Sequence, residues 1–522
     1  MTFNQYGALI VGLCLAISST AQKHDYVWLG GYESDAAPHW DTAMWGFNFG
    51  NSKLDYNYDT VHVDYDSLGM YFNRTNVSFS TGDGALLMYS NGIYAANKYD
   101  EHIEGGDSLN DGYFLNIMNT QARRYGYQTP QGMLALSAVS NPDLHYLFHS
   151  FVDSLSNHPG WVNYSKLLVT LVDMSANSGH GKVLYKNRPI IEGDSLAGEV
   201  MATKHANGRD WWILIQKRNT NCYYRILLDN TGPHLLPNMT CAGEVMNWGE
   251  IAATCFSPDG SKYVCLCTNE GLDIYDFDRC EGTLANSIYL PLPVLRDSDW
   301  ICVGAAMSSN SRFLYTSITK HLYQFDLWDS DVFSSIDTIG IYNGEHLPQT
   351  PGIRNLFDIQ QLAPDGKIYM SCGNAVSYFH VINNPDEKGA LCNFSQNGLH
   401  LPALANSVPN FPNYRLGALT GSACDTLTTV NGITYAEKEK LLKVFPNPAT
   451  DVVTIDYGFI DWNKGEVNLE IANEQGRLVY AQHIPMYSGF QKINVAQFVA
   501  GLYSASIKRN DAIVVTAKFT KQ

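Results

Sequence analysis

Apolar residues in this chain come in short alternating runs set between polar turns, and one such unit returns along the chain. Its clearest copies are Phe256-Ser-Pro-Asp-Gly-Ser-Lys-Tyr263 and Ala363-Pro-Asp-Gly-Lys-Ile-Tyr369, with a weaker one at Ser308-Ser-Asn-Ser-Arg-Phe-Leu-Tyr315. Pro-Asp-Gly is turn chemistry: Pro presets φ, Asp bonds to the local backbone, and Gly accepts a positive φ. The alternating residues that follow, Tyr263-Val-Cys-Leu-Cys-Thr and then Gly271-Leu-Asp-Ile-Tyr-Asp, predict paired strands. Earlier copies are Val77–Ala96, Ser140–Asp173 and His205–Leu228.

The six turns, at Asp83, Asp143, Asn207, Asp259, Asn310 and Asp365, recur at roughly fifty to sixty-five residues, the period of propeller blades and similar arrays. A hairpin cannot bury its apolar faces alone, so stacked copies must share a core. The pattern predicts an all-β fold: a β-propeller of seven blades, then a small Ig-like β-sandwich. Strands at Tyr26–Phe49 and Tyr414–Thr420 are expected to supply the seventh blade from both ends. After Cys424 a polar connector gives way to six or seven short strands. The expected domains are a signal peptide over 1–21, the propeller over 22–424, a linker over 425–443 and the terminal domain over 444–522.

Composition narrows the function classes. The 522 residues include 32 Tyr, 43 Gly and only 16% charged residues, which suits many short strands and turns. A formal net charge of −17 argues against nucleic acid as a partner. Gly7–Ile17 is an apolar run followed by Ser18-Ser-Thr-Ala21, the pattern of a signal peptide cleaved after Ala21. That run is too short to span a bilayer, and no transmembrane segment is expected elsewhere. Export permits disulfides among the ten remaining cysteines, but their pairing is not legible. Cys265 and Cys267 share one face of a strand and are not expected to bond each other.

Candidate chemistry is sparse. Gly-Asp-Ser-Leu occurs at Gly106–Leu109 and Gly193–Leu196 and is similar to the nucleophile block of a lipase and esterase family. That family needs an Asp-x-x-His pair near the C-terminus, whereas Asp59–His62 precedes both serines. His145 and His149 share a strand face but stand too far apart to converge on one metal ion, and core roles are expected. Trp211 and Trp212 point to opposite faces, so at least one is expected in the core; the functional alternative is a sugar-stacking platform. No catalytic residues, metal or cofactor are expected.

Val444-Phe-Pro-Asn-Pro-Ala-Thr-Asp451, Asn473-Glu-Gln-Gly-Arg-Leu-Val479, Ile493-Asn-Val495 and Gly501-Leu-Tyr503 fall in order at the chain terminus. This segment resembles the C-terminal sorting domain of type IX secretion, found on exported proteins of Bacteroidetes. The resemblance implies recognition by an outer-membrane translocon, and release or surface attachment. It singles out Pro446, Asn447, Pro448, Asp451, Gly476, Arg477, Asn494, Gly501 and Tyr503 as the sorting signal. Tyr89-Ser-Asn-Gly92, His205–Trp212, Phe277-Asp-Arg-Cys280, Ala363–Tyr369 and Pro409–Leu416 resemble WD40-like or PQQ-like propellers of exported proteins. That likeness implies an architecture and no activity.

The expectation for function is a glycan- or protein-binding module at the cell surface, with an extracellular polysaccharide hydrolase or lyase as the alternative. Asp-(Ser/Thr)-apolar triplets, among them Asp66-Ser-Leu68, Asp153-Ser-Leu155 and Asp337-Thr-Ile339, resemble a bacterial O-glycosylation acceptor, although Asp and Ser also favour turns. An intact mass well above the sequence mass will show glycans; an unmodified mass removes them.

Overall fold

The computed structural model describes residues 22–32, 49–112, 126–155, 158–245, 252–268, 271–292, 302–347, 350–425, 442–457, 467–484, 490–510 and 512–522. The expected signal peptide with Ala21, most of Met44–Phe49 and most of the linker lie outside them. The chain divides into two compact units, Met1–Asp425 and Thr426–Gln522.

In the first unit β1 (Val27–Tyr32), β2 (Gly50–Asp55) and β3 (His62–Asp66) make one antiparallel sheet, and β4 (Val77–Ser80), β5 (Leu86–Ser90) and β6 (Ala95–Asn97) the next. One continuous sheet then holds β7 (Met133–Ser137), β8 (Leu144–Leu155), β9 (His158–Asp173), β10 (Lys182–Lys204), β11 (Trp211–Lys217), β12 (Cys222–Asp229) and β13 (Gly232–Leu235), with β14 (Thr240–Cys241) paired to β12. A four-stranded meander follows from β15 (Ala252–Phe256) through β16 (Lys262–Cys267) and β17 (Gly271–Asp278) to β18 (Thr283–Leu290). The next comprises β19 (Val303–Met307), β20 (Phe313–Ile318), β21 (His321–Asp326) and β22 (Asp337–Ile341). After a short hairpin, β23 (His346–Leu347) and β24 (Thr350–Arg354), the last comprises β25 (Phe357–Leu362), β26 (Ile368–Cys372), β27 (Val376–Ile382) and β28 (Phe394–Ala405).

The recurring turns join the first strand of a sheet to its second. Ser257 Oγ donates to Asp259 Oδ1 (2.6 Å) and accepts from the Lys262 amide (2.9 Å). Ser308 and Asn310 repeat this, with Ser308 Oγ 2.7 Å from Asn310 Oδ1 and 2.8 Å from the Phe313 amide. Gly260 and Gly366 hold φ of +73° and +81°, which a side chain would strain.

Alternate residues of each second strand feed different cores, because successive side chains point to opposite faces. Tyr263 and Cys265 pack toward Trp212, Tyr223 and Tyr275, whereas Val264 and Leu266 pack toward Val303, Met307 and Leu314. Apolar burial therefore lies between successive sheets.

Two expectations change. The hairpins at Ser140–Asp173 and His205–Leu228 are not separate: β10 pairs with β9 along its first part and with β11 from Leu196 to Lys204, fusing them. Tyr414–Thr420 forms no strand; the N-terminal sheet is completed by β3, and the chain after β28 does something else.

The first strands lie side by side, β1 with β4, β4 with β7, β7 with β10, β10 with β15, β15 with β19 and β19 with β25, while β28 packs on β1 and β2. Gly304 permits one of these approaches, since a Cβ there would sit 2.1 Å from the Asp358 carbonyl oxygen. β15, β19 and β25 are terminal in their sheets, so one backbone edge of each needs partners from outside it. Side chains supply them: Gln131 bonds both backbone groups of Thr254 in β15, Gln360 Nε2 donates to Gly304 O in β19 (3.2 Å) and Ser317 Oγ donates to Asp358 O in β25 (2.8 Å), while the segment after Ala405 serves β7 and β10. Ser52 Oγ donates to Ala403 O (3.2 Å) and accepts its amide (3.1 Å). The Asn410 amide nitrogen donates to Asn76 O, and Asn410 Nδ2 donates to Met133 O (3.0 Å) and Val200 O (3.1 Å). Tyr414 Oη donates to Ala135 O (2.8 Å), and Asn413 Nδ2 to Pro258 O (2.7 Å). One crossing segment thus touches β7, β10 and the turns after β15. Its end is fixed by the Cys280–Cys424 disulfide; a second disulfide joins Cys222 to Cys241. Cys255, Cys265, Cys267, Cys302, Cys372 and Cys392 are buried and in no disulfide.

In the second unit β29 (Lys443–Phe445), β30 (Val452–Asp456) and β33 (Phe490–Asn494) form one sheet, and β31 (Asn468–Asn473), β32 (Leu478–His483), β34 (Gly501–Arg509) and β35 (Ala512–Lys521) another, in the order β32-β31-β34-β35. Val453, Ile455 and Ile493 of the first share a core with Leu469, Ile471, Ile507 and Phe519 of the second.

Asn410→Ala strands two buried carbonyl groups, so it is expected to destabilise the chain by about 2–6 kcal/mol, from roughly 1–3 per orphaned group. Urea unfolding will measure this; an unchanged midpoint contradicts the assigned role.

Candidate functional site

A cavity of about 260 Å³ opens where β10, β15, β19 and β25 end. Ala202, Ala305, Ala306 and Ala363 line it, and these small side chains leave the strand ends uncovered. Its polar lining is mostly committed to the framework. Gln131 Nε2 donates to Thr254 O and Gln131 Oε1 accepts the Thr254 amide, both at 2.8 Å. Gln361 Oε1 accepts the Phe411 amide (3.3 Å). Gln360 is different: its Nε2 donates to Gly304 O (3.2 Å), but Oε1 has no hydrogen-bond partner although the residue is 3% exposed. Among the described lining residues Asp25 is the only carboxylate, and Arg415 clamps it through two bonds of 2.5 and 2.9 Å; none of them is a histidine.

Two residues before the cavity-lining Met201 of β10 and Gln360 of β25, at Glu199 and Asp358, lies a cluster of ionisable side chains. Arg74, just before β4, pairs with Asp358 at the start of β25. Burial pushes the Asp358 carboxyl up, against the pull of the Arg74 guanidinium. Glu199, preceding Val200 in β10, is buried, and its Oε2 has no hydrogen-bond partner. Burial raises its carboxyl to about 8. Tyr164, whose hydroxyl is 3.1 Å from Thr129 Oγ1, lies within electrostatic reach of Glu199, Arg218 and Arg74. This arrangement is invisible in the sequence, because its residues are separated by tens to hundreds of positions.

The residues singled out by sequence go elsewhere. Trp211 and Trp212 are each 3% exposed; Trp211 joins the core containing Trp28 and Tyr414, and Trp212 the one containing Tyr263. Neither offers a face to a ligand, which corrects the stacking expectation. His145 and His149 are buried in β8, and burial lowers each to about 3. His149 is held by Asn110 (2.6 Å) and Thr170 (3.0 Å), as a neutral core imidazole. The two Gly-Asp-Ser-Leu blocks build no triad: Ser195 Oγ donates to Asn163, Asp107 pairs with His102, and His62 stacks on Tyr58. Among the described residues no three His, Cys, Asp or Glu side chains are placed to hold a metal ion. No helix there is long and apolar enough to cross a membrane.

In the second unit the candidate sorting residues fall into two sets. Pro446, Asn447, Pro448, Asp451, Gly476, Arg477 and Asn494 are exposed. Asn447 Oδ1 accepts the Thr520 amide (2.9 Å), and the Arg477 amide donates to Asn473 Oδ1 (2.9 Å). Tyr503 is buried against Phe519, its hydroxyl donating to Val499 O (2.6 Å), and Gly501 opens the same strand.

Glu199 gives a pH signature. Below about 4.5 both folded and unfolded chains hold its proton; between 4.5 and about 8 only the folded chain does, so stability from this group is lost as pH rises through that window. The stability of Glu199→Gln relative to wild type is expected to increase from pH 5 to 8. A difference in Tm that stays constant over that range contradicts the raised carboxyl.

No curated protein matches this sequence. Solved structures similar to it include a functionally unknown protein from Desulfotomaculum acetoxidans DSM 771, 12% identical, covering 73% of this chain and 99% of that one with a TM-score of 0.37. A putative 6-phosphogluconolactonase from Bacteroides fragilis NCTC 9343 is 10% identical, covering 75% and 98% with a TM-score of 0.40. The Dos1 propeller is 11% identical, covering 64% and 86% with a TM-score of 0.33. Likeness at this level transfers no activity. Residues 443–522 match the family described as the secretion system C-terminal sorting domain. The chain therefore ends in a type IX C-terminal sorting domain, which directs it to export and to secretion or attachment at the outer cell surface.

Proposed function

We propose that residues 22–424 form a closed seven-bladed β-propeller that acts outside the cell as a binding module for glycan or protein. Seven strands (β1, β4, β7, the end of β10, β15, β19 and β25) lie in succession, and the return of β28 onto β1 and β2 supports closure. The binding reading rests on the cavity: its described lining contains a single carboxylate, Asp25, already neutralised by Arg415, and no histidine to move a proton. Its free polar group is an acceptor, Gln360 Oε1, suited to a hydroxyl or amide donor. In the terminal Ig-like sandwich, the exposed Pro446–Pro448, Asp451, Gly476, Arg477 and Asn494 are the face offered to the type IX translocon, while Gly501 and Tyr503 maintain the fold beneath it.

One observation favours the alternative, an extracellular polysaccharide hydrolase or lyase. A carboxyl kept protonated at neutral pH, as Glu199 is, can donate a proton to a leaving oxygen. A glycan array combined with a hydrolysis screen on the purified chain separates the two. Binding without turnover is expected; turnover abolished in Glu199→Gln establishes the enzyme and overturns the binding module.

A further inference from the structure

Four tryptophans have described surroundings. Trp28, Trp211 and Trp212 are at most 3% exposed, whereas Trp328, in the turn between β21 and β22, is 68% exposed. Its position is built by Asp326, a 3% exposed carboxylate. Asp326 accepts from Arg312 Nε (2.9 Å) and Nη2 (2.7 Å), from Lys388 Nζ (3.3 Å) and from the Trp328 backbone amide (3.2 Å). The Arg312 guanidinium so fixed lies over two rings, 4.7 Å from the centroid of Phe313 and 5.2 Å from that of Trp328. One side of the indole is thus backed by a cation anchored in the sheet, and the rest of the ring faces solvent.

An exposed aromatic of this size is unfavourable in water, and ordering it costs side-chain entropy. Here the cation–π contact and the Asp326 hub have fixed the ring before any partner arrives, the preorganisation that favours binding. The patch is too small for a protein: a stable interface needs roughly 800 Å² per partner, and an aromatic side chain presents at most about 150–250 Å². That area matches a single sugar ring, whose C–H face is apolar and whose rim carries hydroxyls. Asp329, next to Trp328 in the chain, and Lys388, bonded to the same Asp326, are both exposed and carry an acceptor and a donor for such hydroxyls.

We propose that Trp328, backed by Arg312, is a stacking platform for a pyranose ring of an extracellular polysaccharide. This rests on the binding reading above and deepens it by naming the ligand class and a contact residue outside the cavity lining. Because the platform is open, it takes an internal ring of a chain as readily as an end.

Calorimetric titration of the full-length protein with the hexasaccharides of glucose (β-1,4 and α-1,4), xylose, mannose and N-acetylglucosamine tests this. Wild type is expected to bind at least one. Trp328→Ala should weaken that binding about tenfold or more, equivalent to ~1.4 kcal/mol, while Trp328→Phe retains most of it, and thermal melts of both variants should match wild type. Binding equal in Trp328→Ala and wild type overturns the platform but leaves the binding module standing. No binding by wild type to any of the five overturns the polysaccharide assignment, as does a protein ligand whose capture depends on Trp328.

Discussion

The constraint on which the large unit depends is the unpaired backbone edge of its first strands. A sheet that ends on such a strand leaves donors and acceptors facing inward, where they must find partners or destabilise the fold. Asn410 meets the need most economically: its backbone amide reaches Asn76 and its side-chain amide reaches Met133 and Val200. Gln131 does the same for both backbone groups of Thr254. Remove the crossing segment, and β7, β10 and the residue before β4 lose a shared partner.

The same constraint shapes the sites. Because the segment occupies the strand edges as far as Arg415, the cavity at the strand ends is walled by amides already in use, leaving Gln360 Oε1 as an unsatisfied acceptor. The cluster of Arg74, Asp358 and Glu199, a few residues earlier on β10 and β25, has a different chemistry: an Arg74–Asp358 ion pair, and a Glu199 carboxyl that burial raises to about 8. Cys280–Cys424 fixes the segment where it leaves the strands, so export into an oxidising environment and integrity of the fold are linked.

Much of the architecture was legible because turn chemistry is local. Asp259, Asn310 and Asp365 mark turns since each carboxylate or amide bonds its own neighbouring backbone, and that pattern needs no distant partner. Strand alternation revealed the second and third strands of each unit for the same reason. The strand ahead of each turn, such as Val303–Met307, is short and uniformly buried, so its period says little. Tyr414-Arg-Leu-Gly reads as a strand by composition, yet the fold uses its tyrosine as a hydrogen-bond donor to Ala135 and its arginine as a clamp on Asp25. Trp211 and Trp212 stood out as aromatics although burial was their role, while Trp328 carried no local mark: the cation that backs its ring, Arg312, comes from the turn before β20. The sorting domain was readable because its motifs are contiguous.

The most direct test of the central claim is native-state hydrogen exchange on the full-length chain. The amides of Asn410, Thr254 and Ala403 should exchange only through global unfolding, with the same free energy as Val264 in the middle of a sheet. Exchange at Asn410 orders of magnitude faster than at Val264 would mean that the crossing segment opens on its own, and that the strand edges do not depend on it.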